Sequence, residues 1–249
     1  SISINELMGQ DLKNAQTNRN EREFIWTLTP FIIEFVLKNR KINNVTYIDT
    51  DMVFLRPPTK ILNHLKSAPD KLLLTPHYFD KNFRTNASKH GTFCVQFLSF
   101  NLELHYEIIE LWKVKVLERC SEKAVNGLFG DQKYFEEFSS TFPKLTGSYK
   151  NNSSFGGPWN MNNLETCNTE IYHFHGFKFL NFNTFLFYNH HYKCKNKDVY
   201  KIYWEYAKAY QEVLNELKVY GVESRTFTTK LNFIQRLRNL INGTSIRTV

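Results

Sequence analysis

Two carboxylates one residue apart, Asp49 and Asp51, directly follow the run Val45-Thr46-Tyr47-Ile48. That run is β-branched and aromatic, which predicts a short buried strand. Alternate residues leaving a strand point the same way, so both carboxylates can reach one site. In open α/β sheets, ligands bind beyond the carboxyl ends of strands. Oxygen ligands of this kind suit Mg²⁺ or Mn²⁺, ions that bridge phosphates. Asp-x-Asp also arises by chance, as a loop with two solvated acids. The strand before it and Phe54-Leu55-Arg56-Pro57-Pro58 after it favour the metal reading.

A second group is Phe129-Gly130-Asp131-Gln132-Lys133-Tyr134-Phe135. Gly130 allows a tight turn, and Asp131 is expected to cap a helix running through Phe138. A carboxylate and an amide there can hydrogen-bond sugar hydroxyls. Taken alone, a helix cap with a solvent-facing Gln132 explains the pair as well. A third group is Ile171-Tyr172-His173-Phe174-His175-Gly176-Phe177-Lys178. His173 and His175 alternate along an expected strand and share a face, so either can complete a metal shell begun by two Asp. Gly176 permits close approach of a backbone amide to a phosphate, and Lys178 supplies charge.

The elements that must hold these groups follow from periodicity. Phe24, Leu28, Phe31, Ile32, Phe35 and Val36 recur at helical spacing from Glu21 to Lys38, with Pro30 expected to kink or restart the helix. Strands are expected at Leu72–Thr75, Thr92–Phe100 and Glu170–Phe174. Helices are expected at Ile61–Leu65, Leu104–Cys120, Tyr200–Val219 and about Lys230–Ile241. The Tyr-rich stripe of Tyr200–Val219 reads as a packing or dimer element. The last helix pairs Leu231, Ile234, Leu237 and Ile241 with Lys230, Arg236 and Arg238. Such a basic amphipathic helix either packs back on the domain or lies on an anionic membrane surface. Alternating strands and helices argue for an α/β fold with a mostly parallel sheet.

Composition limits the classes of function. The 22 Phe, 13 Tyr and 4 Trp among 249 residues exclude wholesale disorder. No apolar run approaches the ~18 residues of a transmembrane helix. Ser1-Ile2-Ser3-Ile4-Asn5 lacks the basic and apolar regions of a signal peptide. Cys94, Cys120, Cys167 and Cys194 are far apart with no C-x-x-C, so reduced, mostly buried thiols and a cytoplasmic location are expected. A net charge of +8 suits a polyanionic partner, and the tail from Arg225 onward is the most one-signed stretch. No zinc, helix-turn-helix or RNA-binding signature accompanies that charge, so nucleic acid is not the expected partner.

In order and spacing, the motifs resemble one family. Arg19, Glu23-Phe24, Trp26-Thr27 and Pro30 precede Tyr47-Ile48-Asp49-Thr50-Asp51. Thr92-Phe93-Cys94-Val95-Gln96-Phe97, Phe129-Gly130-Asp131-Gln132-Lys133-Tyr134 and Gly157-Pro158-Trp159-Asn160 follow. Over about residues 19–180 the chain resembles bacterial nucleotide-sugar glycosyltransferases with a GT-A fold. Its layout is similar to the glycogenin-like and lipopolysaccharide galactosyltransferase group. The resemblance implies a GT-A-like, Rossmann-like domain over residues 1–195 and a helical extension over 196–249. It implies Mn²⁺ or Mg²⁺ on Asp49, Asp51 and one of His173 and His175. It implies donor binding by Arg19, Asp49, Thr50, Asp51, Gly176 and Lys178, with Asp131 and Gln132 as catalytic residues between donor sugar and acceptor. The implied reaction transfers a sugar from a nucleotide-diphosphate sugar to a glycan or lipid-linked acceptor, with retention of anomeric configuration, in surface polysaccharide synthesis. Contact with the inner face of the membrane would run through the basic C-terminal helix.

Two departures from the family pattern stand out. Lys178 lies one residue early for a His-x-x-Gly-x-x-Lys element. Residues 1–18 show no strand of the base-binding unit that the family places upstream of the Asp-x-Asp, so an open sheet edge is expected beside Val45–Ile48. That second departure leaves a rival reading, a catalytically silent nucleotide- or glycan-binding module. A metal-dependent phosphohydrolase is a further rival, but it calls for more clustered carboxylates and His.

Overall fold

A computed structural model describes residues 2–83, 85–151, 153–181, 183–189, 191–223, 228–241 and 246–249. In chain order the elements are α1 (Gln10–Thr17), α2 (Glu21–Asn39), β1 (Asn44–Ile48), β2 (Met52–Phe54), α3 (Thr59–Ser67), β3 (Leu72–Pro76), α4 (Asn86–His90), β4 (Phe93–Cys94), β5 (Phe97–Asn101), α5 (Tyr106–Glu118) and α6 (Tyr134–Thr141). They continue with β6 (Thr146–Ser148), β7 (Phe155–Gly156), β8 (Ile171–His173), β9 (Lys178–Asn181), β10 (Thr184–Leu186), α7 (Lys197–Val219), α8 (Phe233–Ile241) and β11 (Ile246–Thr248). They fall into two compact units, residues 1–49 with 58–152, and residues 50–57 with 153–249. This is a partition by contact; the division at 195/196 is a different one, drawn on motifs.

In the first unit, α2 starts on a reciprocal cap. The Asn20 side chain accepts the Glu23 N–H while the Glu23 carboxylate accepts the Asn20 N–H. The helix then runs unbroken through Pro30, contrary to the expected restart. Both of its halves are anchored: Phe24 and Leu28 pack with Leu12 and Ala15 of α1, and Ile33 and Leu37 enter the main core. Burial at both ends outweighs the one backbone hydrogen bond that proline removes. The main core also takes Ile108, Ile109, Trp112 and Val116 from α5 and Tyr134, Phe135 and Phe138 from α6. Lys113 of α5 lies 2.6 Å from Glu34 of α2, tying the two helices at the surface.

The sheets are small and mixed, in place of the mostly parallel sheet expected. β1 pairs antiparallel with β5, β3 pairs antiparallel with β4 and parallel with β6. The single strand expected over Thr92–Phe100 is two strands. Residues 95 and 96 turn, and the chain changes partner from β3 to β1. A continuous apolar run hides such a step, because both halves are buried. Among the described residues β1 has β5 as its one strand partner, and it is half exposed where a buried strand was expected.

In the second unit, β2 pairs antiparallel with β8, and β7 pairs parallel with β8. β9, β10 and β11 form an antiparallel sheet. Against these strands α7 lays an aromatic ladder: Tyr203 stacks on Phe187, Tyr206 stacks on Phe174, and Tyr210 meets Phe177 and Phe179. The Tyr stripe is therefore internal packing. The basic C-terminal helix is shorter than expected, beginning at Phe233, with Ile234 58 % and Leu237 45 % exposed. Arg225 and the side chain of Ile241 lie outside the described residues. None of the four cysteines is in a disulfide; Cys94 and Cys120 are buried, Cys167 is exposed and Cys194 lies between.

Candidate functional site

The first unit fixes Asp49 from three directions. Pairing of Ile48 with Phe97 sets the end of β1, and the Asp49 N–H donates to the Gln96 carbonyl at 3.0 Å. The Tyr47 hydroxyl donates to Asp49 Oδ1 at 2.7 Å. Burial and then the Asp49 charge push the Tyr47 hydroxyl well above its ordinary value, so it stays a donor.

Asp131 closes the same cluster. It is 5 % exposed, and its carboxyl is pushed up to about 8, first by burial and next by the charge of Asp49. Its own backbone N–H and the Thr29 hydroxyl oppose that rise. The turn carrying it is pinned by the Trp112 indole N–H, which donates to the Asp131 carbonyl at 3.0 Å. Gly130 at φ +54 lets this turn lie against the Trp26 ring. The helix cap expected of Asp131 is absent: α6 begins three residues later with Lys133 at the cap position. An Asp drawn inward toward a second carboxylate cannot also cap a helix at the surface. Gln132 Nε2 donates to the His90 carbonyl at 2.6 Å rather than facing solvent.

The second unit fixes Asp51. Met52 stands opposite His173 in the β2–β8 ladder, and the Phe174 N–H donates to the Asp51 carbonyl at 2.8 Å. This register brings His173 Nε2 to 2.9 Å from Asp51 Oδ1. Burial raises the Asp51 carboxyl. The hydrogen bond from His173 and the charges of His173 and His175 outweigh that, leaving it below the ordinary carboxylate range. His173 is 5 % exposed and meets the edge of Trp159, ring centres 5.4 Å apart. His175 lies beyond the strand expected to carry it: β8 ends at His173, and His175 sits exposed in the turn that follows, its ring centre 5.7 Å from that of His173. Gly176 has φ +82, and a Cβ there would lie 2.7 Å from Asn189 Nδ2. Lys178 opens β9, opposite Leu186.

The chain passes from one unit to the other through Asp49-Thr50-Asp51, with Thr50 exposed. Asp51 and His173 stand together in the second unit, and Asp49 ends the first stretch of the first unit, two residues before Asp51. Of the two histidines left open by the sequence, His173 is the one paired with Asp51. Arg19 faces the protein. Its guanidinium donates to the Thr27 hydroxyl and, at 2.5 Å, to the Leu117 carbonyl near the end of α5. Two contributors escaped the sequence reading. Tyr47 was legible in principle, since it lies two residues before Asp49 on the same strand face. Thr29 was not, because nothing in a helix interior marks one hydroxyl as a partner of a distant loop.

No family model matches the chain. Two Bacillus subtilis (strain 168) proteins are similar in sequence. The uncharacterized protein YfnF is 27 % identical over 150 residues, 58 % of this chain and 50 % of its own length. The uncharacterized protein YfnD is 26 % identical over 191 residues, 71 % of this chain and 60 % of its own. Among solved structures, the apo form of mouse xyloside xylosyltransferase 1 is similar over 60 % of this chain and 63 % of that one, with 14 % identity and a TM-score of 0.39. The chain thus spans between half and three-fifths of the length of the curated relatives it matches.

Proposed function

We propose that this chain is a metal-dependent glycosyltransferase that moves a sugar from a nucleotide-diphosphate donor to a glycan or lipid-linked acceptor. The observation that carries the reading is the Asp51–His173 pair, 2.9 Å apart, with Asp49 two residues before Asp51 in the chain. Two carboxylates and an imidazole form a hard-to-borderline donor set that suits Mn²⁺ or Mg²⁺. A bound ion supplies Lewis-acid stabilisation of a departing diphosphate.

The protein's own residues have distinct tasks. Asp51 and His173 hold each other in register through the β2–β8 ladder, so a ligand set is pre-positioned. Tyr47 orients the Asp49 carboxylate by donating to its Oδ1. Asp131, protonated near neutrality, is a hydrogen-bond donor for a sugar hydroxyl, and Gln132, with its amide nitrogen on His90, offers Oε1 as acceptor. The resemblance, with its Asp131-Gln132 pair, also favours retention of anomeric configuration, and ¹H NMR of the fresh product would assign it.

The decisive test is Asp51→Asn. It is expected to abolish Mn²⁺-dependent binding of nucleoside diphosphates, read by calorimetry, while leaving the thermal midpoint within a few degrees. Undiminished binding in that variant overturns the metal reading.

A further inference from the structure

In the first unit, α3 turns Lys60, Asn63, His64 and Ser67 toward one side. Their spacing of three, four and seven residues is one face of a helix. Across from them the chain leaves β6 through residues 148–151. Together these residues line a cavity of about 610 Å³, within the roughly 300–1,000 Å³ usual for small-molecule sites. Among the described residues no acidic side chain lines it, and neither Asp131 nor Asp49 does.

Its floor is firmly held. The Tyr149 N–H donates to the Leu74 carbonyl at 2.9 Å, and its carbonyl accepts from the Tyr78 hydroxyl. The His64 ring stands edge-on to Tyr149, ring centres 5.1 Å apart at 84°. The rim carries two cations, Lys60 and Lys150, and the neutral polar groups of Asn63, Ser67, Ser148 and Asn151. An imidazole against a buried Tyr149, neutral amides and hydroxyls and two exposed cations suit one kind of guest. It is a polar ring with apolar C–H faces and a negative substituent.

We infer that this cavity binds an anionic saccharide, a sugar unit bearing a phosphate or a carboxylate, with the charge met by Lys60 and Lys150. Its role as an acceptor subsite rests on the transferase reading; the binding itself does not. Surface cation–anion pairs are individually weak and salt-sensitive, so affinity falls as ionic strength rises.

The test titrates glucose 6-phosphate, glucuronate, glucose and inorganic phosphate into the chain at low salt, followed by NMR. Both anionic sugars are expected to bind, and glucose and phosphate to bind several-fold more weakly. Lys60→Gln and Lys150→Gln, changes at exposed positions, should each weaken the anionic sugars by about three- to tenfold with thermal midpoints unchanged. Asp51→Asn should leave this binding as it is, which separates the cavity from the metal group. Glucose binding as well as its anionic relatives, phosphate alone binding as well as the sugar phosphate, no binding of either anionic sugar, or binding indifferent to both lysines would each overturn the proposal. So would loss of sugar binding in Asp51→Asn alone. An Asp51→Asn chain that keeps Mn²⁺-dependent binding of nucleoside diphosphates and still binds glucose 6-phosphate through Lys60 would sink the metal reading and leave the cavity assignment standing.

Discussion

A carboxyl almost wholly withdrawn from water beside a second carboxylate keeps its proton to about neutral pH, and Asp131 is in that state. Such a group changes its hydrogen-bonding capacity with small shifts in its surroundings, which suits contact with a reacting sugar better than simple anchoring. Asp131→Ala is accordingly expected to lower turnover by about 10²-fold, with the donor KM changed only a few-fold. Steady-state kinetics at saturating Mn²⁺ would check this; a raised KM with unchanged kcat would assign Asp131 to ground-state binding instead. The Asp49/Asp51 pair was visible from spacing alone, because strand alternation is local. The inward turn of Asp131 was not. It depends on Thr29, Tyr47 and Trp112, residues brought together from three separate elements.

At the scale of elements, His105 shows how one joint is built. It stands at the start of α5, 1 % exposed. Its Nδ1 accepts the Asn101 N–H at 3.0 Å, while Nε2 meets the Asp70 carbonyl at 3.2 Å. That leaves the neutral ring with its proton on Nε2, joining the end of β5 to the turn before β3. Burial holds the ring below its ordinary value of 6.5, more than the Asp70 carbonyl raises it. A depressed value means the unfolded chain takes up the proton first. The stabilisation is therefore intact above about 6.5 and is lost as pH falls through the lower folded value. Urea midpoints measured from pH 7.5 down to pH 5 should decline in the native chain and decline less in His105→Gln. Equal slopes would show that other groups govern the acid limb. The helices here were legible because their periodicity persists for many turns, and α2 and α7 fall close to the expected bounds. The strands were less so. The break at residues 95 and 96 and the end of β8 before His175 depend on which partner strand is available, and no local pattern states that.

For the whole molecule, net charge matters more than any single contact. A chain at +8 is drawn to anionic surfaces in general, so membrane contact through α8 needs a test that separates specific from bulk attraction. Deleting the tail from residue 225 is a poor choice, because β11 pairs with β10 through Thr184–Leu186 and Arg247 donates to the Tyr200 hydroxyl. Arg236→Gln combined with Arg238→Gln leaves that pairing intact. If α8 contacts lipid, the double variant should co-sediment with phosphatidylserine vesicles markedly less than the native chain at 0.1 M salt, and neither should bind phosphatidylcholine. Equal sedimentation would leave α8 no role at a membrane. No helix among the described residues is long and apolar enough to cross one.

Trp159 gives the ligand group a means of being watched. Its indole lies against His173, ring centres 5.4 Å apart, with His175 6.2 Å away and close to His173. An indole emits differently beside a neutral imidazole, a protonated one and one whose electron pair is engaged by a cation. Cation capture at His173 is thus written into the protein's own ultraviolet fluorescence. Trp26, Trp112 and Trp204 also emit, and Trp159→Phe supplies the blank.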